Sequence, residues 1–372
     1  MSYERLAFHL SDSRTYRTFA RLSVGHAPSR SGLQSTIRQL SDETLSNINQ
    51  LFVKHWLDEG EIQAKKMRID STVVESNISA PSDSQLLNDG VRVLSRLLSR
   101  SRTRTGVRIR FVDQRRRSKS LAFRIFHAKK AEKEALYPDL LGCAKTVMKQ
   151  VERSLLLVRS SGKKDRHAQK WLEQVEHYRT LLGRVIEQTT RRVIKGEQVP
   201  SSEKIVSVFE EHTDIVVKGS RDVQYGHKIN LATQEDGFIT YLSIEKGNPS
   251  DTDLYVPVLK AVEHAYDVIP RSTACDGGYA SHENAFKGRA MGVKQTAFHK
   301  RAGLGCHAMG VKEKTLKQLR NFRAGIEGNI SELKRAFGAS RATWKGIEGF
   351  NAFVWSSVLS YNLIRRVRFS SG

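Results

Sequence analysis

The hydrophobic period of this chain switches more than once, and the order of the switches sets its fold class. Over residues 63–78 β-branched residues accumulate, in Lys66-Met67-Arg68-Ile69-Asp70-Ser71-Thr72-Val73-Val74-Glu75, which predicts a strand. Before it, residues 3–10, 13–22, 29–40 and 42–59 place apolar side chains at helical spacing, several behind a Ser or Asp that suits an N-cap. From about residue 83 to 200 the pattern is helical again, with Leu86, Leu87, Val91, Leu94, Leu97 and Leu98 in one stripe. Strand signals return after Thr213. Residues 225–233 and 238–245 are β-rich and are joined across Gln234-Glu235-Asp236-Gly237, whose Asp-Gly marks a hairpin. A helix over 251–266 then leads into a strand that ends in Cys275-Asp276-Gly277-Gly278. Strand, hairpin, helix, strand and a late helix make a mixed α/β core.

The 372 residues suffice for two or three domains and a sizeable core. The formal charge is +23, from 62 Lys and Arg against 39 Asp and Glu. A cationic surface of that size favours a polyanionic partner, DNA or RNA. The most biased stretch runs from Arg100 to Lys133, where 13 Lys or Arg face only Asp113 and Glu132, with Phe111, Phe123 and Phe126 interleaved. Such a run would repel itself unless a polyanion lay alongside, so Arg115, Arg116 and Arg117 are candidate phosphate contacts. The plain alternative is a solvated helix face. The helix over 29–40 carries Arg30, Gln34 and Arg38 and suits a major groove, although an ordinary helical bundle explains it as simply.

Cys143, Cys275 and Cys306 are too few and too scattered for a disulfide framework, and a reducing cytoplasm is the simplest setting. His299 with Cys306-His307 lacks a fourth ligand at a zinc spacing. No run of about 18 apolar residues occurs, so no membrane span is expected.

Three acids stand out. Glu327 shares a helical face with Arg323 and Lys334, at i, i+4 and i+11. A carboxylate flanked by two cations stays ionised and can hold a metal while its neighbours hold phosphates. Glu332 is its rival, about 140° further round the helix. Asp70 stands on a core strand, where a carboxylate is costly unless solvated, paired or metal-bound, with Glu75 as competitor. Asp276 ends a strand ahead of two glycines, which exposes it at a sheet edge and lets backbone approach closely.

The set RIDSTVVESNI, ACDGGYAS and FRAGIEGNISELKRAFG, in that order, resembles the DDE transposases of bacterial insertion sequences, in particular the ISNCY-like group with an R-x3-E-x6-K signature. The resemblance extends over essentially the whole chain, since SYERLAFHLSDS and DSQLLNDGVRVLSRLL are similar too.

It implies an RNase H-like mixed sheet flanked by helices, with a helical N-terminal region over 1–60, the first part of the catalytic domain over 61–82, a basic helical insertion over 83–205 and the rest of the domain over 206–372. Asp70, Asp276 and Glu327 would hold two Mg2+ ions, with Mn2+ as a substitute, and Arg323 and Lys334 would contact phosphates. The implied activity is metal-dependent cleavage at element ends and strand transfer to target DNA, by a homodimer on DNA associated with the bacterial nucleoid.

Two departures narrow the comparison. Relatives with the fuller signature have tyrosine where this chain has Arg320, and SYERLAFHL lies further inside similar proteins, which implies a product lacking an N-terminal portion. The alternative reading is a catalytically inactive or truncated transposase-derived DNA-binding protein.

Overall fold

The computed structural model describes residues 2–23, 25–162, 165–218, 222–299 and 303–370. The chain divides into two compact units, residues 1–75 with 227–372 and residues 76–226.

The first unit opens with helices α1 (Tyr3–Asp12), α2 (Arg14–Phe19), α3 (Arg30–Ile37) and α4 (Asp42–Asp58). Each follows a serine whose hydroxyl accepts an N–H of the first turn, satisfying a donor the helix leaves unpaired. Among these helices α4 is anchored most deeply, burying Leu45, Asn49, Val53 and Trp56. By contrast α2 and α3 bury none of their residues. Strand β1 (Lys66–Ser76) follows, with Met67, Ile69 and Val74 fully buried.

The second unit is the helical one: α5 (Asp83–Ser99), α6 (Ser101–Thr105), α7 (Arg115–His127), α8 (Lys130–Ser160) and α9 (Arg166–Thr189). Their apolar stripes close on one core that includes Leu87, Leu94, Leu140, Val147, Trp171 and Val185. The predicted helical stretch reaches only to Ile194, ending in a π-helical turn, Thr190–Ile194. Strand β2 (Asp214–Lys218) pairs antiparallel with the start of β3 (Asp222–Gln234), Asp214 opposite Gly226.

The rest of β3 belongs to the first unit. It pairs antiparallel with β4 (Ile239–Ile244), and Gly237 N–H donates to Gln234 O at 2.9 Å in the turn between them. Helix α10 (Asp251–Tyr266), β5 (Ser272–Cys275), α11 (His282–Ala290), β6 (Gln295–Phe298), α12 (Glu313–Ala336), β7 (Arg341–Ala342) and α13 (Gly346–Ser370) complete the chain.

The strand order is β4-β3-β1-β5-β6, with β7 also paired to β1. Strands β1, β5 and β6 run parallel, in the register Ile69, Cys275, Phe298. This is the mixed, helix-flanked sheet expected of an RNase H-like fold. One core packs Met67, Ile69, Ala274, Cys275 and Phe298 with Val53, Trp56, Tyr255 and Leu259. A second holds Val74, Ile229, Leu231, Ile326, Leu333, Val354 and Tyr361. The α13 side chain Asn362 joins both hairpin and N-terminal helix, donating to Ile239 O and to Asn49 Oδ1, each at 2.8 Å.

The strand that follows helix α10 is short, beginning only at Ser272, because Pro270 lacks the N–H that a ladder needs. One local expectation changes. Asp276 ends an interior strand, between β1 and β6, and so stands at the sheet's C-terminal rim and not on an edge strand.

Candidate active site at the strand ends

Parallel register brings Asp70 and Asp276 together. Ile69 pairs with Cys275, and each aspartate is the next residue, so the two lie about one strand spacing, roughly 5 Å, apart. Asp276 stays extended, with φ −69° and ψ 165°, before the chain turns into the short helix Gly277–Tyr279. Between them the Cys275 thiol is buried, and its pKa is pushed well up by burial, with the charges of Asp70 and Asp276 adding to the effect and Arg323 opposing it. All three charges lie within electrostatic reach of this sulfur.

Helix α12 carries Arg323 and Glu327 to the same rim. Arg323 Nη2 meets Glu327 Oε1 at 2.7 Å, and its Nη1 lies 3.6 Å from Asp70 Oδ2. One guanidinium therefore spans two of the three acids. Arg323 is only 13% exposed while Glu327 is 63% exposed, so the helix face presents the acid and tucks in the cation. Arg323 Nε is buried without an acceptor among the described residues, so its five donors are not exhausted by the two carboxylates. Lys334, partly buried, continues this face, about 10 Å further along the helix than Glu327.

A second arginine fixes α12 on the sheet. Arg68, two residues before Asp70 and on the same side of β1, is buried. It donates to Thr233 Oγ1 (3.2 Å), Gln234 O (2.9 Å) and Phe322 O (3.3 Å), and lies 4.6 Å over the Phe322 ring. Burial lowers its pKa, with Arg365 as the next cause. Gly325 leaves room for this guanidinium, because a Cβ there would collide with Arg68 Nη1. Nothing in the sequence reading marked Arg68 or Gly325; a basic residue at i−2 from Asp70 on a core strand was the available signal.

The neighbouring polar layer is Asp251. Its Oδ1 accepts from Ser71 Oγ (3.0 Å) and pairs with buried Lys228 Nζ (2.6 Å). A Cβ on residue 278 would sit 2.6 Å from Asp251 Oδ2, so Gly278 admits this side chain. His299 follows β6 as Asp276 follows β5, its N–H donating to Cys275 O at 3.1 Å.

The rival acids are placed elsewhere. Glu75 binds Arg341 at 2.6 Å, and Glu332 binds Arg368 at 2.7 Å. On α7, Arg115 pairs with Asp113 (2.5 Å) and Arg117 with Asp139 (3.2 Å), whereas Arg116 makes no salt bridge among the described residues. Cys306 donates its thiol to Glu313 Oε1 at 3.1 Å.

Carboxylate oxygens on adjacent strand ends are a hard donor set of the kind that suits Mg2+ or Mn2+. Among the described residues no group of three or more His, Cys, Asp or Glu is arranged to hold a metal ion. No helix among the described residues is long and apolar enough to cross a membrane.

Comparison with curated proteins and with solved structures gave no match in either case. A family model described as a transposase DDE domain matches residues 212–363, a stretch that holds Asp276, Arg323 and Glu327 and begins after Asp70. Over that stretch the chain is similar to the transposase DDE domain, which supports a DDE-type insertion-sequence transposase.

Proposed function

We propose that this protein cuts DNA at the ends of an insertion sequence and joins the resulting 3′ hydroxyls to target DNA. What supports this reading is one guanidinium shared by two acids, Arg323 at 3.6 Å from Asp70 and 2.7 Å from Glu327, with Asp276 following the strand residue that registers with Ile69.

Asp70, Asp276 and Glu327 are the catalytic acids in this reading and would hold two Mg2+ ions, or Mn2+ in their place. Such ions activate the attacking oxygen and relieve charge on the leaving one. Arg323 keeps Asp70 and Glu327 from repelling each other. Once those carboxylates are compensated otherwise, its guanidinium turns to a phosphate oxygen, and Lys334, further along the same helix face, would take another. No side chain serves as a covalent nucleophile, and joining is a direct exchange of one phosphodiester for another.

The basic helical segment over 83–205 would lie along the DNA backbone. Arg116 is the most available of its three candidate arginines, while Arg115 and Arg117 would exchange Asp113 and Asp139 for phosphate. The 1–60 helices would assist in holding ends, in a homodimer on nucleoid DNA. A catalytically inactive binder is the weaker reading, because nothing requires it to keep an arginine between Asp70 and Glu327.

The test is incubation of the purified protein with labelled duplex carrying the element's end, with and without Mg2+. Metal-dependent nicks bearing 3′ hydroxyls, and their joined products, are expected. Tight binding with no cleavage in either condition would overturn the proposal.

A further inference from the structure

The helical unit carries a surface that phosphate contacts alone do not explain. Helix α7 buries Ser118, Leu121, Ala122 and Ile125, the side packed into the unit's core. Its opposite face runs Arg116, Lys119, Phe123, Phe126, His127, with Arg124 alongside, all exposed. Phe123 is 65% and Phe126 is 71% exposed. Phe111, the third phenylalanine of this basic run, packs instead against the core. The two exposed rings are joined by a third, because the His127 ring lies 4.4 Å from that of Phe123 and 5.0 Å from that of Phe126. Arg116, Lys119 and Arg124 form no salt bridge among the described residues. The result is a patch of three clustered rings set among unneutralised cations.

Clustered exposed aromatics mark a binding surface, and the cations choose its occupant. An apolar protein partner would have to bury three arginines and lysines to reach the rings, at a desolvation cost. Duplex DNA would satisfy the cations but leave the rings in water, since its base faces are already stacked on each other. Single-stranded DNA satisfies both: its backbone runs along the cations, and its bases stack on the rings without regard to sequence. We propose that the Phe123, Phe126 and His127 face of α7 is a stacking platform for unpaired bases of DNA. This rests on DNA being the substrate of the proposed transposase. It adds that the enzyme holds a strand already parted from its complement, as at a nicked or frayed element end.

The experiment measures binding of the full-length protein, by fluorescence anisotropy, to labelled oligo(dT) and to a blunt duplex of equal length over a salt series. Phe123→Ala/Phe126→Ala should weaken oligo(dT) binding about tenfold or more and change duplex binding less than about twofold. Its salt dependence should be unchanged, because no phosphate contact is lost. Phe123→Tyr/Phe126→Tyr should bind oligo(dT) like the wild type. Arg116→Ala/Lys119→Ala/Arg124→Ala should weaken both DNA forms and flatten the salt dependence. All of these side chains are exposed, so the variants keep the core intact.

Equal loss for both DNA forms, no loss for either, or a fall in oligomer size by light scattering in the alanine variant would overturn the platform. If the wild type binds duplex and only the oligo(dT) prediction fails, the transposase reading stands. If it binds neither form, that reading fails as well.

Discussion

The Arg68 guanidinium occupies the space that a Cβ at residue 325 would need. Strand β1 and helix α12 are thereby locked together close to the candidate acids, Arg68 being two before Asp70 and Gly325 two before Glu327. The lock reaches further, because Thr233, which accepts from Arg68, lies 3.5 Å from Asn329 Oδ1, and Asn329 donates to Tyr361 Oη at 2.7 Å.

Gly325→Ala forces that guanidinium out of its three hydrogen bonds. Overpacking of this kind costs about 1–3 kcal/mol. Urea unfolding is expected to show that loss in the otherwise wild-type chain and almost none when Arg68 is already alanine, a coupling that neighbours in contact display. Equal costs in the two backgrounds would show that the two residues do not meet.

Arg323 is the counter-charge for Asp70 and Glu327. In Arg323→Gln those carboxylates face each other uncompensated, so the variant should melt a few degrees lower in EDTA, a stability change on the order of 1 kcal/mol. Mg2+ should raise its melting temperature more than it raises that of the wild type, since the cation then replaces the lost charge. The same Mg2+ response in both proteins would contradict the bridging role.

The three thiols should separate by reactivity. Cys275 is fully buried, with its pKa raised by burial and by Asp70 and Asp276, and burial also raises that of Cys143. A raised pKa leaves the thiol protonated and unreactive at pH 8. Alkylation of the native protein should therefore modify Cys306 first, and slowly, because its thiol donates a hydrogen bond to Glu313, which holds its pKa up as well. Glu313→Gln should speed that labelling at pH 8. Rapid modification of Cys275 in the folded protein would contradict its placement beneath the acids.

Long periodic elements were legible in the sequence because their burial is one-sided. Helix α10 spans the 251–266 expected of it, and the Asp236-Gly237 turn lies in the β3–β4 hairpin. Short buried elements were not, since β6 offers only Gln295-Thr296-Ala297-Phe298, too few residues for a period to show. The acids could be picked out by their neighbours in the chain. Their supports could not, because Arg68 meets Phe322 across 254 residues and its hydrogen-bond partners come from two different elements. Nor did the basic run reveal which of its phenylalanines are covered. That depends on where α7 begins, and the Asp113 carboxylate that accepts Arg115 N–H at 3.0 Å precedes its first turn.

The central claim is that Asp70, Asp276 and Glu327 act as one site, and single substitutions at the three positions test it most directly. Asp70→Asn, Asp276→Asn and Glu327→Gln should each lower Mg2+-dependent cleavage of element-end DNA by about 100-fold or more, with duplex affinity within about threefold of wild type. Glu332→Gln, whose acid faces Arg368 and Arg365, should cleave normally. Wild-type cleavage by any of the three, or its loss in Glu332→Gln alone, would contradict the account.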